Sequence, residues 1–172
     1  EDRIELLNKD YRLLEGQYDK IVSVEMIEAV GRKFLPGFFE KLNSLLKPNG
    51  LLMLQAITIA DQRFDSYSRN EDFIQKHIFP GGFLPSMSLM SELISTRTEF
   101  VIRDLRDIGL DYAHTLAHWR KTFLEKQEQL HALGYDQKFK NLWLYYLGYC
   151  EGGFLERRIS AQQLLVSKAP HF

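Results

Sequence analysis

The chain has 172 residues, 45% of them hydrophobic and 26% charged, with a net charge of −1. That length suffices for one domain with its own core, and the balance of charge excludes the basic field that nucleic-acid binding requires. A single cysteine, Cys150, rules out an internal disulfide and fits a reducing compartment.

The opening "EDRIELLNKD" looks like the middle of a domain, and "RIELLN" at 3–8 reads as a short strand. "KIVSVEM" at 20–26 is β-branched and almost unbroken by polar residues, the pattern of a central strand covered on both faces. Phe34, Phe38, Leu42, Leu45 and Leu46 follow at helical spacing, with Pro36 near the first turn and Pro48 and Gly50 as the stop. A second buried strand, "GLLMLQAIT" at 50–58, completes a strand–helix–strand unit and argues for a parallel sheet. Residues 59–96 show no strand. They hold helix-like stretches at 71–78 and 86–95, split by "FPGGFLPS", and read as an insertion covering the top of the sheet. Strand returns at 99–109. A long amphipathic helix at 111–133 carries Leu116, Trp119, Phe123 and Leu130 on one stripe. A second, very aromatic helix occupies 136–159, and 161–169 closes as a strand. No segment reaches the about 18 apolar residues that span a bilayer, and no signal peptide opens the chain.

In open α/β sheets ligands sit beyond the carboxyl ends of the strands. Glu25, Glu28, Gln55 and Tyr112 all follow strands, so they can converge on one pocket. For an arbitrary glutamate the alternative is a surface acid at a helix N-terminus. Trp119, Trp143, Tyr145, Tyr146 and Tyr149 suit either a dense core or an acyl-chain tunnel. "FPGGFLPSMSLM", with Phe79, Phe83, Leu84 and Met87, reads either as a lid packed on the core or as an entrance loop touching a membrane surface. His114 and His118 have zinc spacing, but no Glu follows the first as in H-E-x-x-H and no third ligand is evident. They read as solvated or hydrogen-bonded histidines, and no metal is expected.

Four stretches in order, "YDKIVSVEMIEAVG", "HIFPGGFLPS", "DIGLDYAHTLAHWRKTF" and "YYLGYCEGGF", resemble the cyclopropane-fatty-acyl-phospholipid synthases and the related mycolic acid cyclopropane synthases and methyltransferases. The resemblance runs from Arg3 to Ser167. It implies an α/β class I S-adenosylmethionine-dependent methyltransferase (Rossmann-like) fold with a helical lid insertion. It implies a cytoplasmic enzyme, peripheral to the inner membrane, that adds a methylene or methyl group to the cis double bond of an unsaturated phospholipid acyl chain and closes a cyclopropane ring. Methylation of an acyl chain or other small molecule without ring closure, and a non-catalytic lipid-binding domain, are the alternatives. The implied cofactors are S-adenosylmethionine and bicarbonate, the latter a small anion that takes a proton beside a carbocation with less risk of being trapped than a side-chain nucleophile. By position, Glu28 matches the bicarbonate-holding glutamate, Tyr112 the hydroxyl donor, Ile57 a backbone N–H donor, and Gln55 a place where many members carry histidine. Asp10, Tyr11 and Arg12 fall in the stretch that borders adenine. Cys150 matches a cysteine of the last helix and reads as a small buried hydrophobe that needs no chemistry.

The class I fold holds its cofactor through a glycine-rich turn, and no G-x-G-x-G occurs here. That turn, the first strand and the ribose-binding acid are therefore expected to precede Glu1. Residues 1–172 would be the N-terminally truncated, C-terminal part of one methyltransferase domain, with 59–98 and 110–158 as helical substrate-covering segments. The fragment alone is expected to be inactive, and "RIELLN", lacking its neighbour, to be displaced or to pair between two copies in a homodimer.

Overall fold

The computed structural model describes residues 3–169. They hold a four-stranded mixed sheet: β1 (Tyr18–Val24), β2 (Leu46–Ile59), β3 (Phe100–Asp107) and β4 (Ile159–Lys168), in the order β1-β2-β4-β3. β1 runs parallel to β2, as the strand–helix–strand pattern requires, whereas β4 is antiparallel to both its neighbours. The expectation of a parallel sheet thus holds for the first unit only. The two aromatic-rich helices bring the chain back reversed, so β4 enters between β2 and β3 from the opposite end.

Helices lie on both faces. α1 (Leu35–Leu45) and α4 (Met87–Arg97) pack on one, where Phe38, Phe39 and Leu35 of α1 meet Leu52 and Leu54 of β2 and Leu164 of β4. α5 (Gly109–Glu125) and α7 (Gln137–Leu155) pack on the other, where Leu116, Leu147 and Phe154 meet Ala161. Side chains alternate along a strand, so Leu52, Leu54 and Ala56 of β2 point into the first core while Ile57 borders the second. The described residues also hold three short α-helices, α2 (Asp61–Tyr67), α3 (Phe73–His77) and α6 (Gln127–Ala132), and three single 3-10 turns at Tyr11–Leu13, Ile27–Ala29 and Arg32–Phe34.

Several expectations need correction. Residues 3–8 form no strand, and Ile4 and Leu6 are exposed. A strand needs a hydrogen-bonded neighbour, and none runs beside this stretch among the described residues. β1 is an edge strand rather than a covered central one: Val22 is 64% and Val24 54% exposed. Pro48 and Gly50 do not end a helix. α1 stops at Leu45, and the triplet Pro48-Asn49-Gly50, with Asn49 at φ +61°, lies inside β2 at the shift of register between Tyr18↔Leu46 and Lys20↔Leu51. The helix expected over 111–133 is broken at Lys126 (φ −100°, ψ 17°) into α5 and α6. α2 was not anticipated at all. It exists because Phe64 and Tyr67 pack on the buried ring of Phe83.

Candidate active site

β1 ends at Val24 opposite Gln55 of β2, which runs on to Ile59, and the backbone N–H of Glu25 donates to the carbonyl of Gln55 at 2.9 Å. Glu25 has a left-handed backbone, φ +51°, a region L side chains adopt only against strain. The turn that follows, Ile27–Ala29, buries Ile27 wholly and aims Glu28 across the end of β2. Gln55 and Ile57 are two residues apart on β2 and so share a face. The fourth residue, Tyr112, comes from the first turn of α5. That helix sits hard against β4: a side chain at Gly109 would collide with Ser160 Oγ, and Asp107 Oδ1 accepts from both the Gly109 N–H (2.9 Å) and Ser160 Oγ (2.6 Å). The Tyr112 ring is stacked on Phe154 of α7 at 4.7 Å, which fixes where its hydroxyl points.

These elements bring together all four residues singled out for anion chemistry, with Glu25 among them. Tyr112 Oη donates to Glu25 Oε2 and Gln55 Nε2 to Glu25 Oε1, both at 2.9 Å. Gln163, the cross-strand partner of Gln55 on β4, donates to Gln55 Oε1 at 2.9 Å and so turns the Gln55 NH2 toward Glu25. The Ile57 backbone N–H donates to Glu28 Oε1 at 2.5 Å, whereas Glu28 Oε2 is buried with no partner. Burial raises the Glu28 carboxyl above its ordinary range, the Ile57 N–H opposes that, and the nearby Glu25 charge adds to it. Burial, reinforced by the bond to Glu25, also raises the Tyr112 phenol and keeps it a neutral donor.

Glu25, Glu28, Ile57 and Tyr112 all line a cavity of about 890 Å³. Its walls are mostly apolar and aromatic: Phe79, Phe83, Leu116, Tyr146, Tyr149 and Phe154 all contribute. Tyr146 and Tyr149 therefore line the cavity, while Trp119 does not, and Trp143 packs behind Tyr146 at 5.0 Å. Residues 79–84 form part of the wall as a lid tied down at several points. Phe83 N–H donates to the Glu28 carbonyl (2.9 Å), Leu84 N–H to Tyr67 Oη (3.0 Å), and Gln75 Nε2 to the Gly82 carbonyl (2.9 Å). Phe83 is buried, but Phe79 is 56% exposed at the cavity's margin. Cys150 lines the same cavity, its thiol pushed up to about 12 by burial and by Asp72.

Asp10, Tyr11 and Arg12 lie elsewhere, on a short turn ahead of β1. Tyr11 meets Phe38 edge-on at 5.6 Å. Asp10 Oδ1 accepts from the Arg12 backbone N–H and Nε, and Oδ2 from Nη2 at 2.6 Å, which holds the exposed Asp10 carboxyl down at about 2. A carboxylate has about four lone-pair sites, so one on Oδ2 stays open to a further donor. His114 and His118 are exposed, and the described residues hold no group of three or more His, Cys, Asp or Glu able to bind a metal. No helix among them is long and apolar enough to cross a membrane.

The family model described as mycolic acid cyclopropane synthetase matches residues 1–164. The chain belongs to the mycolic acid cyclopropane synthetase family. Among its relatives in this family, the tuberculostearic acid methyltransferase UfaA1 of Mycobacterium tuberculosis is 39% identical over 98% of this chain and 40% of that protein. The cyclopropane-fatty-acyl-phospholipid synthase of Escherichia coli (strain K12) is 36% identical over 96% of this chain and 41% of that protein. The structure of the mycolic acid cyclopropane synthase CmaA1 complexed with SAH and CTAB superimposes with a TM-score of 0.84 at 26% identity, covering 94% of this chain and 59% of the other. The fold is thus that of S-adenosylmethionine-dependent methyltransferases. This cyclopropane synthetase family member spans about two-fifths of the length of the curated relatives it matches.

Glu25 and Gln163 are the polar residues of the site that the sequence reading left without a role. Glu25 was visible as an acid following a strand. Gln163 becomes visible only once the β2–β4 register is known, since nothing local marks one glutamine of "AQQLLV" over the other.

Proposed function

We propose that this chain forms the substrate-facing part of an S-adenosylmethionine-dependent enzyme that adds a one-carbon unit to the cis double bond of an unsaturated phospholipid acyl chain and closes a cyclopropane ring. The observation that carries the reading is the mostly apolar 890 Å³ cavity whose wall includes Glu25, Glu28 and Tyr112, with Tyr112 bonded to Glu25. Its size falls within the roughly 300–1,000 Å³ of small-molecule sites. Its apolar and aromatic walls suit a hydrocarbon chain, charged groups such as Arg63, Asp72, Glu156 and Arg158 also line it, and its aromatic faces tolerate the positive charge that develops on the acyl carbons.

Asp10 and Tyr11 fit the adenine end of S-adenosylmethionine, with one lone pair and a half-buried ring free for it. When bound, that cofactor supplies an electrophilic methyl group to the alkene. The chain's own part is to hold the acyl chain, exclude water with the 79–84 lid, and manage a proton. Glu28 accepts from the Ile57 N–H, and with its pKa raised by burial it keeps a proton on the otherwise unpartnered Oε2 further up the pH scale than an exposed glutamate. Bicarbonate does not fit this donor set: the Tyr112 hydroxyl, the Gln55 amide and the Ile57 N–H all point at carboxylates of the chain itself.

Methylation without ring closure is the second reading. It is favoured by Gln55, which cannot titrate near neutrality as the histidine of many members does, and by the 39% identity to a protein named as a methyltransferase. On either reading residues 1–172 are the C-terminal part of a larger domain continuing along the open edge of β1, and by themselves bind S-adenosylmethionine weakly. The exposed Phe79 then marks the side where the enzyme meets a membrane surface.

The test is incubation of the full gene product with S-adenosylmethionine and unsaturated phospholipid vesicles, followed by lipid mass spectrometry and NMR. The expected product has gained one CH2 and lost its alkene protons, with upfield ring protons. A methyl-branch doublet instead selects the second reading, and no one-carbon gain in any lipid rejects both.

A further inference from the structure

We propose that the Glu25 carboxylate is the proton acceptor of this site and occupies the place of a captured anion. The proposal rests on the alkene-alkylating reading above and says which group completes that chemistry.

The backbone gives the first argument. Glu25 closes β1 at φ +51°, where glycine is the residue of least strain. A strained position occupied by a long charged side chain that reaches a cavity is the kind found at functional sites. Donor accounting gives the second. Tyr112 Oη and Gln55 Nε2 both end on Glu25, and the Ile57 N–H ends on Glu28. Gln163 holds the Gln55 amide in the donating orientation. A bound anion needs those same donors and would sit against two carboxylates. The cavity's arginines, Arg63 and Arg158, form no ion pair with either glutamate. Reach gives the third. Glu25 is half-buried and lines the cavity, and its two hydrogen bonds leave lone pairs on both oxygens.

The step balances with groups already named. Once the alkene has gained a methyl group, a C–H bond beside the electron-poor carbon breaks. Its electron pair closes the third side of the ring or forms a double bond, and the proton passes to a Glu25 oxygen, from which water takes it when product leaves. The two hydrogen bonds hold the carboxylate in place and draw off charge, which disfavours its collapse onto carbon as an ester. Gln55 and Gln163 act through Glu25 as positioning residues.

The experiment uses the full gene product in buffer stripped of carbon dioxide, with and without added bicarbonate, beside Glu25→Gly and Glu25→Gln. Glycine relieves the backbone strain, so that variant keeps the fold. Binding of 13C-bicarbonate is followed by NMR in parallel, independently of turnover. Wild type should turn over equally with and without bicarbonate and show no bound signal. Both variants should lose about 10²–10⁴-fold in rate, as for a removed general base. Glu25→Gly alone should bind bicarbonate on the vacated Tyr112 and Gln55 donors and recover at least about tenfold of its rate. A wild type that binds bicarbonate or needs it, or a Glu25→Gly variant as fast as wild type without it, overturns the proposal. If no lipid is methylated by any form, the enzymatic reading fails, and bicarbonate bound by Glu25→Gly but not by wild type would still support the anion replacement.

Discussion

Replacing Tyr112 with phenylalanine removes one hydroxyl and keeps the ring, so the 4.7 Å stack on Phe154 survives. What is lost is the 2.9 Å donation to Glu25 Oε2, leaving that carboxylate with Gln55 as its other donor. A hydrogen bond to a charged group contributes about 1.5–3 kcal/mol, and half-burial of both partners places this one toward the lower part of the range. If the carboxylate must be held for the proton to leave, that energy appears in the barrier, where each 1.36 kcal/mol is about tenfold. The expected loss in kcat is therefore roughly 10- to 100-fold, comparable with removal of one donor from a preorganised site. KM for the lipid should stay unchanged, because the hydroxyl faces Glu25. The assay is transfer of labelled methyl from S-adenosylmethionine to vesicle lipid by the full gene product, with initial rates taken across lipid concentration. An unchanged kcat, or a loss confined to KM, would refute the reasoning and make the hydroxyl a substrate contact.

Three further outcomes follow from the same geometry. Burial holds Glu28 above the ordinary 4.5, so its contribution to stability is complete below about pH 4.5 and is lost as pH rises toward its native pKa; in urea unfolding, wild-type stability minus that of Glu28→Gln should fall as pH rises from 4.5, and a flat difference would contradict the burial argument. With its thiol pushed up to about 12 from 9.0, Cys150 should react with iodoacetamide at pH 8 about a thousandfold more slowly than a free thiol, and labelling at the free rate would show the cavity wall to be open. Tyr67→Phe removes the acceptor of the Leu84 N–H, an unpaired group costing about 1–3 kcal/mol; hydrogen exchange at Leu84 should quicken about tenfold or more, and unchanged protection would mean that the lid is held elsewhere.

Long periodic segments were legible. The stripes of 34–46 and 136–159, and the apolar strands at 50–58 and 161–169, appear close to their expected places because local pattern and burial agree there. Partner-dependent features were not legible. "KIVSVEM" has a covered-strand composition, yet its covering is absent among the described residues, and "RIELLN" has strand composition without a strand to pair with. Pro48-Asn49-Gly50 spells a stop and acts as an irregularity inside β2, because the strand's other residues already have partners. Of the site, Glu28, Gln55 and Tyr112 were picked out with Glu25 as residues following strands, Ile57 came from the resemblance, and the fold brings them together. The Glu25–Gln55–Gln163 chain depends on a cross-strand register and a left-handed backbone, neither of which leaves a mark in a single sequence.

The bare margin of β1 has a practical side. Seven residues, Tyr18–Val24, offer main-chain groups along one rim, with two valines open to water beside them. Such a rim templates addition of another strand, so residues 1–172 produced on their own should self-associate in proportion to concentration, and a lysine at Val24 would be the first change to try for keeping the material dispersed.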